Sequence, residues 1–315
     1  MAQFVKKCLL IGGSGFIGVH LTRKLIAIGR SVTVLDLKAP SEHYRIANVS
    51  YLEGCFSNYE LISELIATHD EVVHLADVSR ANTLVSDPMV EFVKNMPSSL
   101  QLFDLAARFG VRLILVSSGG TVYGEANSTP IKETHNTLPI SIYGVNKLVM
   151  ENYATFYAMT KDLDLIIARP SNPYGEGQLP FTGQGFIATA LGTALRGDVI
   201  TIFGRTGTVR DYIYVGDLVD GIALLLQEGK SNQIYNIGSG IGLSNLQIID
   251  ACRILFSELA DEIRVCHAPD RLTDVKINIL DSTKLNELGW CPSVDLKDGL
   301  RKTLDWLNKR TVDDL

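Results

Sequence analysis

The sequence predicts an α/β fold, in which a doubly wound parallel sheet is followed by a second, smaller mixed α/β domain. In the first half, short apolar runs rich in β-branched residues alternate with longer segments of helical periodicity, which is typical of βαβ units. Glycine and proline then become dense between Arg169-Pro170 and Gly185. This shift in composition indicates a domain boundary.

The elements of the first half follow one another in regular order. Strands are predicted at 7–11, 31–35, 71–75, 112–117 and 163–168, and helices at 15–28, 59–68, 88–109 and 142–159. The strands are near-continuous apolar runs, as expected when helices cover both faces of a sheet. Together these elements predict a buried parallel sheet.

The second half is more mixed. Helices are predicted at 186–196, 246–256 and 296–310, a strand at 199–203, and a strand-like start that leads into an apolar helix at 212–228. Short strands and helices alternate over 235–315. The pattern favours a smaller domain of mixed α/β structure.

Composition and charge narrow the class of protein. A length of 315 residues favours about two domains, and 46% hydrophobic with 20% charged residues is typical of a soluble globular chain. The net charge of −6, without a basic block beyond Lys6-Lys7, argues against a nucleic-acid partner.

The cysteines and the apolar runs bear on cellular location. Five cysteines are scattered without a C-x-x-C pair, so neither a disulfide framework nor a metal site is expected. No apolar run approaches the ~18 residues that span a bilayer, so we expect no membrane anchor and no export signal. A cytoplasmic location fits best.

A glycine-rich turn follows the first predicted strand and opens the first predicted helix. Glycines at 12, 15 and 18 allow a tight turn, close approach of backbone N–H groups to a pyrophosphate, and close packing of helix on strand. Asp36 ends the second strand, where a carboxylate can accept hydrogen bonds from an adenosine ribose. This order of elements predicts a dinucleotide site.

Tyr143 and Lys147 open the predicted helix at 142–159, and their spacing of four residues places both on one face. A phenol that acts as a base near neutral pH needs a pKa lowered by roughly 3 units, or about 4 kcal/mol. A cation about 4 Å away at an effective dielectric of about 20 supplies roughly that energy. Lys147 alone therefore has the magnitude required to make Tyr143 a base.

With these motifs the chain resembles the extended short-chain dehydrogenases, specifically nucleotide-sugar epimerases of the UDP-galactose 4-epimerase type. The resemblance spans essentially the whole chain. It rests on the following residues: Gly12 to Gly18, Asp36, His74 to Ala76, Asn95, Ser117 to Gly124, Tyr143 to Lys147, Arg169 to Gly175, Arg210 to Asp217, Tyr235 to Gly240, Arg271 and Asp274.

The resemblance implies two sets of binding residues. NAD would be held by Gly12, Gly15, Phe16, Ile17, Asp36, Leu75, Ala76 and Lys147. The nucleotide-sugar substrate would be held by Ser118, Asn172, Arg210, Arg271 and Asp274. Arginine forks suit a pyrophosphate, which agrees with this assignment.

The resemblance also implies an arrangement of domains and subunits. Residues 1–170 would form the NAD-binding domain, to which 210–238 returns, and residues 171–209 and 239–315 would bind the nucleotide sugar. Two subunits would pair through a four-helix bundle to give a homodimer.

The chain departs from the family pattern at three places. Gly54-Cys55-Phe56 replaces the usual acid near the adenine, which leaves Phe56 or backbone groups to recognise that ring. Gly119 takes the place of the usual catalytic Ser or Thr; alternation of side chains along an extended segment predicts that Thr121 replaces it. Asn278 takes the place of a bulky Tyr and predicts that N-acetylated sugars are accepted alongside UDP-glucose.

The reaction that these features favour is NAD-dependent epimerisation at C4 of a nucleotide sugar, UDP-glucose and UDP-galactose or their N-acetylated pair, through a 4-keto sugar, with Tyr143 as the base. A dehydratase of the same family is an alternative, although Gly120-Thr121 replaces its Asp-Glu pair. A nucleotide-sugar reductase or decarboxylase is a second alternative. A non-catalytic NAD(H)-binding regulator is a third.

Overall fold

The computed structural model describes residues 5–40, 42, 45–77, 88–257, 263–269 and 274–310. Its strands, in chain order, are β1 (Lys7–Ile11), β2 (Ser31–Asp36), β3 (Ser50–Glu53), β4 (Glu71–His74), β5 (Arg112–Val116), β6 (Leu165–Pro170), β7 (Asn172–Tyr174), β8 (Val199–Phe203), β9 (Val209–Tyr214), β10 (Gln233–Ile237), β11 (Gly242–Ser244), β12 (Arg264–Ala268) and β13 (Ile277–Asn278). Its helices are α1 (Phe16–Ala27), α2 (Tyr59–Ile66), α3 (Pro88–Phe109), α4 (Ile142–Lys161), α5 (Phe186–Leu195), α6 (Val215–Glu228), α7 (Asn245–Ser257), α8 (Thr283–Asn286) and α9 (Leu296–Asn308).

Seven parallel strands form the main sheet, in the order β3-β2-β1-β4-β5-β6-β10. From β1 the chain first builds outward through β2 to β3, then returns to the other side of β1 with β4. The order therefore reverses between β1 and β4. In an open α/β sheet this reversal creates a crevice at the carboxyl ends of the strands.

Strand β1 shows why the sheet is buried on both faces. Cys8 and Leu10 join the core on one face, whereas Leu9 and Ile11 join the core on the other, and all four are at most 1% exposed. Alternating side chains of a strand point to opposite faces. Helices α1 and α6 cover the first face, and α2, α3 and α4 cover the second. The predicted doubly wound α/β class is confirmed.

The smaller mixed region is built around β9. This strand pairs in parallel with β7 and β13 and antiparallel with β11, and β8 pairs separately with β12. Helices α5, α7 and α9 pack around these strands over a third apolar core. Within 210–238, α6 and β10 pack on the main sheet, whereas β9 belongs to the smaller region. The assignment of the two regions to cofactor and substrate stays a prediction.

Sequence periodicity misses β3, whose residues Ser50-Tyr51-Leu52-Glu53 are mostly exposed at the sheet edge. An edge strand of this kind carries no continuous apolar run, so it gives no signal of burial. Among the described residues, no helix combines the length and the apolar character that crossing a bilayer requires.

Candidate active site

The crevice at the carboxyl ends of β1 and β4 is shaped by a glycine turn. Gly12 has φ of 84°, and a Cβ there would lie 2.6 Å from the backbone N of Ala76. A Cβ on Gly18 would lie 2.5 Å from the backbone of Gly13. Any larger residue at either position would push β1, β4 and α1 apart. Two of the predicted reasons for these glycines, a tight turn and close packing of helix on strand, are present.

The N-terminus of α1 points into this turn without a capping side chain. Gly15 is the N-cap and the first turn contains no acidic residue, so the first N–H groups at Phe16 and Ile17 lack an intrahelical acceptor. The helix dipole adds partial positive charge there. The Ser14 Oγ is buried and lacks a hydrogen-bond partner among the described residues. These features fit the pyrophosphate of a dinucleotide.

Asp36 lies beside the turn with both oxygens held. Its Oδ2 accepts a hydrogen bond from the Ser14 N–H at 2.9 Å, and its Oδ1 accepts one from the Leu37 N–H at 2.8 Å. A carboxylate can accept more than one hydrogen bond at each oxygen, so it can also accept from ribose hydroxyls. The geometry therefore fits the adenosine side of a dinucleotide.

The other predicted cofactor contacts border the same crevice. Leu75 and Ala76 both donate a backbone N–H to the carbonyl of Ile11 at 2.9 Å, which carries the β4 segment across the end of β1. The Phe56 ring lies 5.3 Å from the His74 ring, centroid to centroid. Leu75, Ala76 and Phe56 are all half-buried. Contact of these residues with NAD stays a prediction.

Tyr143 and Lys147 lie in the first turns of α4, which begins after an N-cap at Ser141 whose Oγ accepts the Gly144 N–H. The Lys147 side chain is buried, and its Nζ lies 5.6 Å from the centroid of the Tyr143 ring. Nζ also donates to the carbonyl of Val116, at the carboxyl end of β5. The spacing of four residues therefore places phenol and ammonium together, as predicted.

Asp77 adds a carboxylate that the sequence motifs do not predict. Its Oδ2 lies 2.9 Å from the Nζ of Lys147, and its Oδ1 accepts a hydrogen bond from the Asn95 side chain at 2.9 Å. An acid placed just beyond an apolar parallel strand is the sequence signal that could have found it, because the carboxyl ends of parallel strands line the crevice.

The acidity of Tyr143 reflects these neighbours. Burial raises the pKa of the phenol, Lys147 lowers it, Asp77 raises it, and a hydrogen bond from the Ser118 side chain lowers it; the net pKa lies above the usual value. The prediction that Lys147 alone brings the phenol near neutrality is therefore wrong for the protein by itself. The reason is that burial opposes ionisation and Asp77 offsets part of the lysine charge.

The hydroxyl groups near Tyr143 differ from expectation. Residues 119–123 are not extended, because hydrogen bonds from the N–H groups of Thr121 and Val122 to the Ser118 carbonyl close turns. The alternation used to select Thr121 therefore does not apply. The Thr121 Oγ1 is buried without a hydrogen-bond partner among the described residues, whereas the Ser118 side chain acts to lower the pKa of the Tyr143 phenol.

Asn278 in β13 packs under the Ser118 turn. It is fully buried, and its Nδ2 donates to the carbonyl of Gly119 at 3.0 Å. Its Oδ1 is buried and lacks a hydrogen-bond partner among the described residues. In the sheet register Asn278 lies opposite Arg210 of β9. The predicted sugar-size residue therefore lies next to a predicted pyrophosphate residue.

The remaining predicted substrate residues lie on the smaller region. Burial lowers the pKa of Arg210, and the carboxylate of Asp274 acts in the opposite direction. Asn172 donates its Nδ2 to the carbonyl of Asp211 at 3.3 Å and lies beside Gly120. Arg271 lies outside the described residues. No group of three or more His, Cys, Asp or Glu suited to a metal occurs in the part of the chain that the structure describes.

Comparison with known proteins places this architecture in a family. The family model described as NAD dependent epimerase/dehydratase family matches residues 8–238. The dTDP-4-dehydro-6-deoxyglucose reductase of Escherichia coli is 32% identical over 308 residues, which cover 94% of this chain and 96% of that protein.

Two solved structures are similar over nearly their whole length. The UDP-glucose 4-epimerase of Thermotoga maritima, solved with UDP-glucose, is 34% identical with a TM-score of 0.88, covering 96% of this chain and 99% of that one. The UDP-glucose 4-epimerase of Thermus thermophilus, solved with NAD, is 30% identical with a TM-score of 0.88, covering 97% of this chain and 100% of that one. The resemblance inferred from the motifs is confirmed: the chain belongs to the NAD-dependent epimerase/dehydratase family, and NAD is its cofactor.

Proposed function

We propose that the protein interconverts the C4 epimers of a nucleotide sugar, UDP-glucose and UDP-galactose or their N-acetylated pair. The observation that carries this proposal is the group formed by Tyr143, Lys147 and Ser118 at the carboxyl end of the main sheet. A phenol with a neighbouring ammonium and a hydroxyl donor can remove a proton from a sugar hydroxyl and return it.

The residues proposed to hold NAD are those of the glycine turn and the adjoining strand ends. The N–H groups at the start of α1 would bind its pyrophosphate, and Asp36 would accept hydrogen bonds from its adenosine ribose. The Lys147 ammonium would reach the nicotinamide ribose of NAD. When bound, NAD supplies a hydride acceptor and donor at the sugar carbon.

Tyr143 is the proposed base. Its phenolate takes the proton of the 4-hydroxyl as C4 is oxidised, and the phenol returns a proton to that oxygen when the 4-keto sugar is reduced on its other face. Lys147 stabilises the phenolate of Tyr143, and the Ser118 hydroxyl would donate a hydrogen bond to the same phenolate oxygen. Because the sugar is oxidised and then reduced, the net redox change is zero.

The substrate nucleotide is proposed to bind across the smaller region. The half-buried side chain of Arg210 would pair with its pyrophosphate, together with Arg271, while Asn172 and Asp274 would supply polar contacts. Burial strengthens such charge pairing because less water screens it.

The turn after β5 favours an epimerase over a dehydratase. A dehydratase must also move protons at sugar carbons beyond C4, for which its family members carry an Asp-Glu pair. Here the corresponding Gly120 and Thr121 have no carboxylate. A reductase differs from an epimerase in its redox balance, because it consumes reduced cofactor in proportion to the product formed.

The decisive experiment is to incubate the protein with UDP-, dTDP- and GDP-hexoses and to separate the products by chromatography. We expect one sugar to give its 4-epimer without stoichiometric consumption of cofactor. Tyr143→Phe should lower turnover by about 10²- to 10⁴-fold, the range for a positioned acid–base group. Loss of water from the sugar, net oxidation of NADH, or wild-type turnover in Tyr143→Phe would each overturn the proposal.

The two hydroxyls provide a matched pair of variants. Ser118→Ala removes the hydroxyl that favours the Tyr143 phenolate and should lower kcat by about 10-fold or more. Thr121→Val removes a hydroxyl from the neighbouring turn while keeping the shape of the side chain, and should have less effect. The reverse order of effects would assign the role to Thr121.

We also propose that two copies pair through α3 and α4. These packed helices expose several large apolar side chains, which include Met89, Val93, Tyr153, Phe156 and Met159. Large apolar side chains exposed on two packed helices are typical of an interaction surface. Light scattering should give a dimer, and Phe156→Glu should give a monomer, whereas Val199→Glu, at an exposed apolar residue of β8, should remain dimeric. A monomeric wild type would refute the proposal.

A further inference from the structure

The ammonium of Lys147 is already paired with a carboxylate of this chain. Asp77 lies beyond β4 and Lys147 on α4, and their Oδ2 and Nζ atoms are 2.9 Å apart. The two side chains are 11% and 5% exposed, respectively. At that depth little solvent screens the pair, so each charge strongly affects the groups around it.

A second hydrogen bond fixes the carboxylate. Asn95 of α3 donates its Nδ2 to the Asp77 Oδ1, and the carbonyl of Asn95 accepts the Ser99 hydroxyl at 2.8 Å. The Nε2 of His74, in β4, lies 3.2 Å from the same hydroxyl. This network ties β4 to α3 and occupies both oxygens of Asp77. The carboxylate therefore keeps one orientation toward Lys147.

The pair acts on Tyr143 in a definite direction. The positive charge of Lys147 favours the phenolate, and the negative charge of Asp77 beside it cancels part of that field. Burial lowers the pKa of Lys147, but Asp77 and Tyr143 outweigh it, so the net pKa is raised and the ammonium stays charged. Asp77 thus keeps the lysine charged and also restrains its effect on the phenol.

We propose that Asp77 is a positioning residue that fixes the Lys147 ammonium beside Tyr143. Its negative charge also offsets part of the effect that the positive charge of Lys147 has on the phenol. This inference rests on the proposed function only in taking Tyr143 as the base. Asp77 acts on the phenol through Lys147, with which it is paired.

Other titratable groups lie on the elements that carry this pair. His74 in β4 and Glu151 on α4 interact electrostatically with Lys147, and Glu91 lies on α3. Burial lowers the pKa of His74 to about 3, so this ring is neutral near pH 7. Glu151 is paired with Arg169, and Glu91 accepts a hydrogen bond from the Asn146 side chain. Asp77 is therefore the carboxylate whose removal changes the charge in contact with Lys147.

The test removes the negative charge of Asp77 and keeps the shape of its side chain. Asp77→Asn should move the acid limb of the kcat/KM profile to lower pH by about one unit, because phenolate then forms more readily. The basic limb of the profile should also move to lower pH, because Lys147 loses the carboxylate that keeps its ammonium charged. Asp77→Glu, which restores a carboxylate, should return both limbs toward wild type.

A second readout does not depend on turnover. The phenolate absorbance of the NAD-loaded protein, taken as the difference from the Tyr143→Phe variant, should titrate about one pH unit lower in Asp77→Asn. Glu91→Gln removes a buried carboxylate that does not contact Lys147 and should leave this midpoint unchanged. Asp77→Ser serves in the same titration should the amide variant not fold.

The outcomes separate this inference from the proposed reaction. An unchanged midpoint in Asp77→Asn, or an equal shift in Glu91→Gln, would overturn the role of Asp77. A shifted midpoint in a protein that epimerises no nucleotide sugar would support the role of Asp77 while refuting the proposed reaction.

Discussion

Residue 119 has room for the hydrogen atom of a glycine but not for a Cβ. A comparison of substitutions at Gly119 and at the neighbouring Gly120 tests this. A Cβ on Gly119 would lie 2.9 Å and 3.2 Å from the carbonyl oxygens of Arg169 and Pro170, and 2.6 Å from a methyl of Leu280. The two carbonyls belong to β6, which is held in the sheet from both sides. The atoms nearest to a Cβ on Gly120 would be those of the Asn172 side chain, at 3.6 Å or more.

These distances predict opposite effects of the same change. Gly119→Ala should lower the free energy of unfolding by about 1–3 kcal/mol, the range for overpacking, because backbone in a central strand must move. Gly120→Ala should be neutral or stabilising by about 0.4–1 kcal/mol, because it restricts the unfolded chain without a clash. At about 2 °C per kcal/mol for a chain of this length, the Tm values of the two variants should differ by about 2–8 °C.

The assay is thermal unfolding of both variants under identical conditions, followed by circular dichroism and calorimetry. Equal Tm values for Gly119→Ala and Gly120→Ala would refute the steric reasoning. Gly119→Ser extends the test to activity, since it would restore a hydroxyl where the family usually has one. We expect it to lower turnover, because room for the side chain must come from movement of β6; a stable Gly119→Ser variant with higher turnover would contradict this.

Three further outcomes are expected. Glu151→Gln should destabilise the protein by about 3–5 kcal/mol in thermal unfolding, because it leaves the buried guanidinium of Arg169 without its charged partner; a loss below about 1 kcal/mol would refute this. NADP should bind at least about 10-fold more weakly than NAD in calorimetric titration, because the fixed carboxylate of Asp36 would repel its 2′-phosphate; equal affinities would contradict that reading. The wild type should turn over UDP-N-acetylglucosamine, and Asn278→Tyr should lower its kcat/KM relative to that for UDP-glucose. That ratio is independent of how much of the buried variant folds, so an unchanged ratio would refute the steric role.

Sequence alone determined the fold class and the cofactor. Apolar strands and a glycine turn with an acid after the next strand are signals between residues close in the chain, and their geometry follows from backbone constraints that act locally. Gly12 illustrates this, since the tight turn that the spacing predicts is present, with a φ of 84° at Gly12. The pairing of Tyr143 with Lys147 is equally local, because one helical turn separates them.

Tertiary structure alone decided which groups surround that pair. Asp77 and Lys147 are far apart in sequence and meet because β4 ends and α4 begins beside the same crevice. Ser118 rather than Thr121 lowers the pKa of Tyr143, and residues 119–123 close into turns instead of extending. Charge and hydroxyl contacts of this kind depend on how separate elements pack, and no periodicity or spacing in one segment encodes them. The acidity of the phenol is therefore a property of the folded chain.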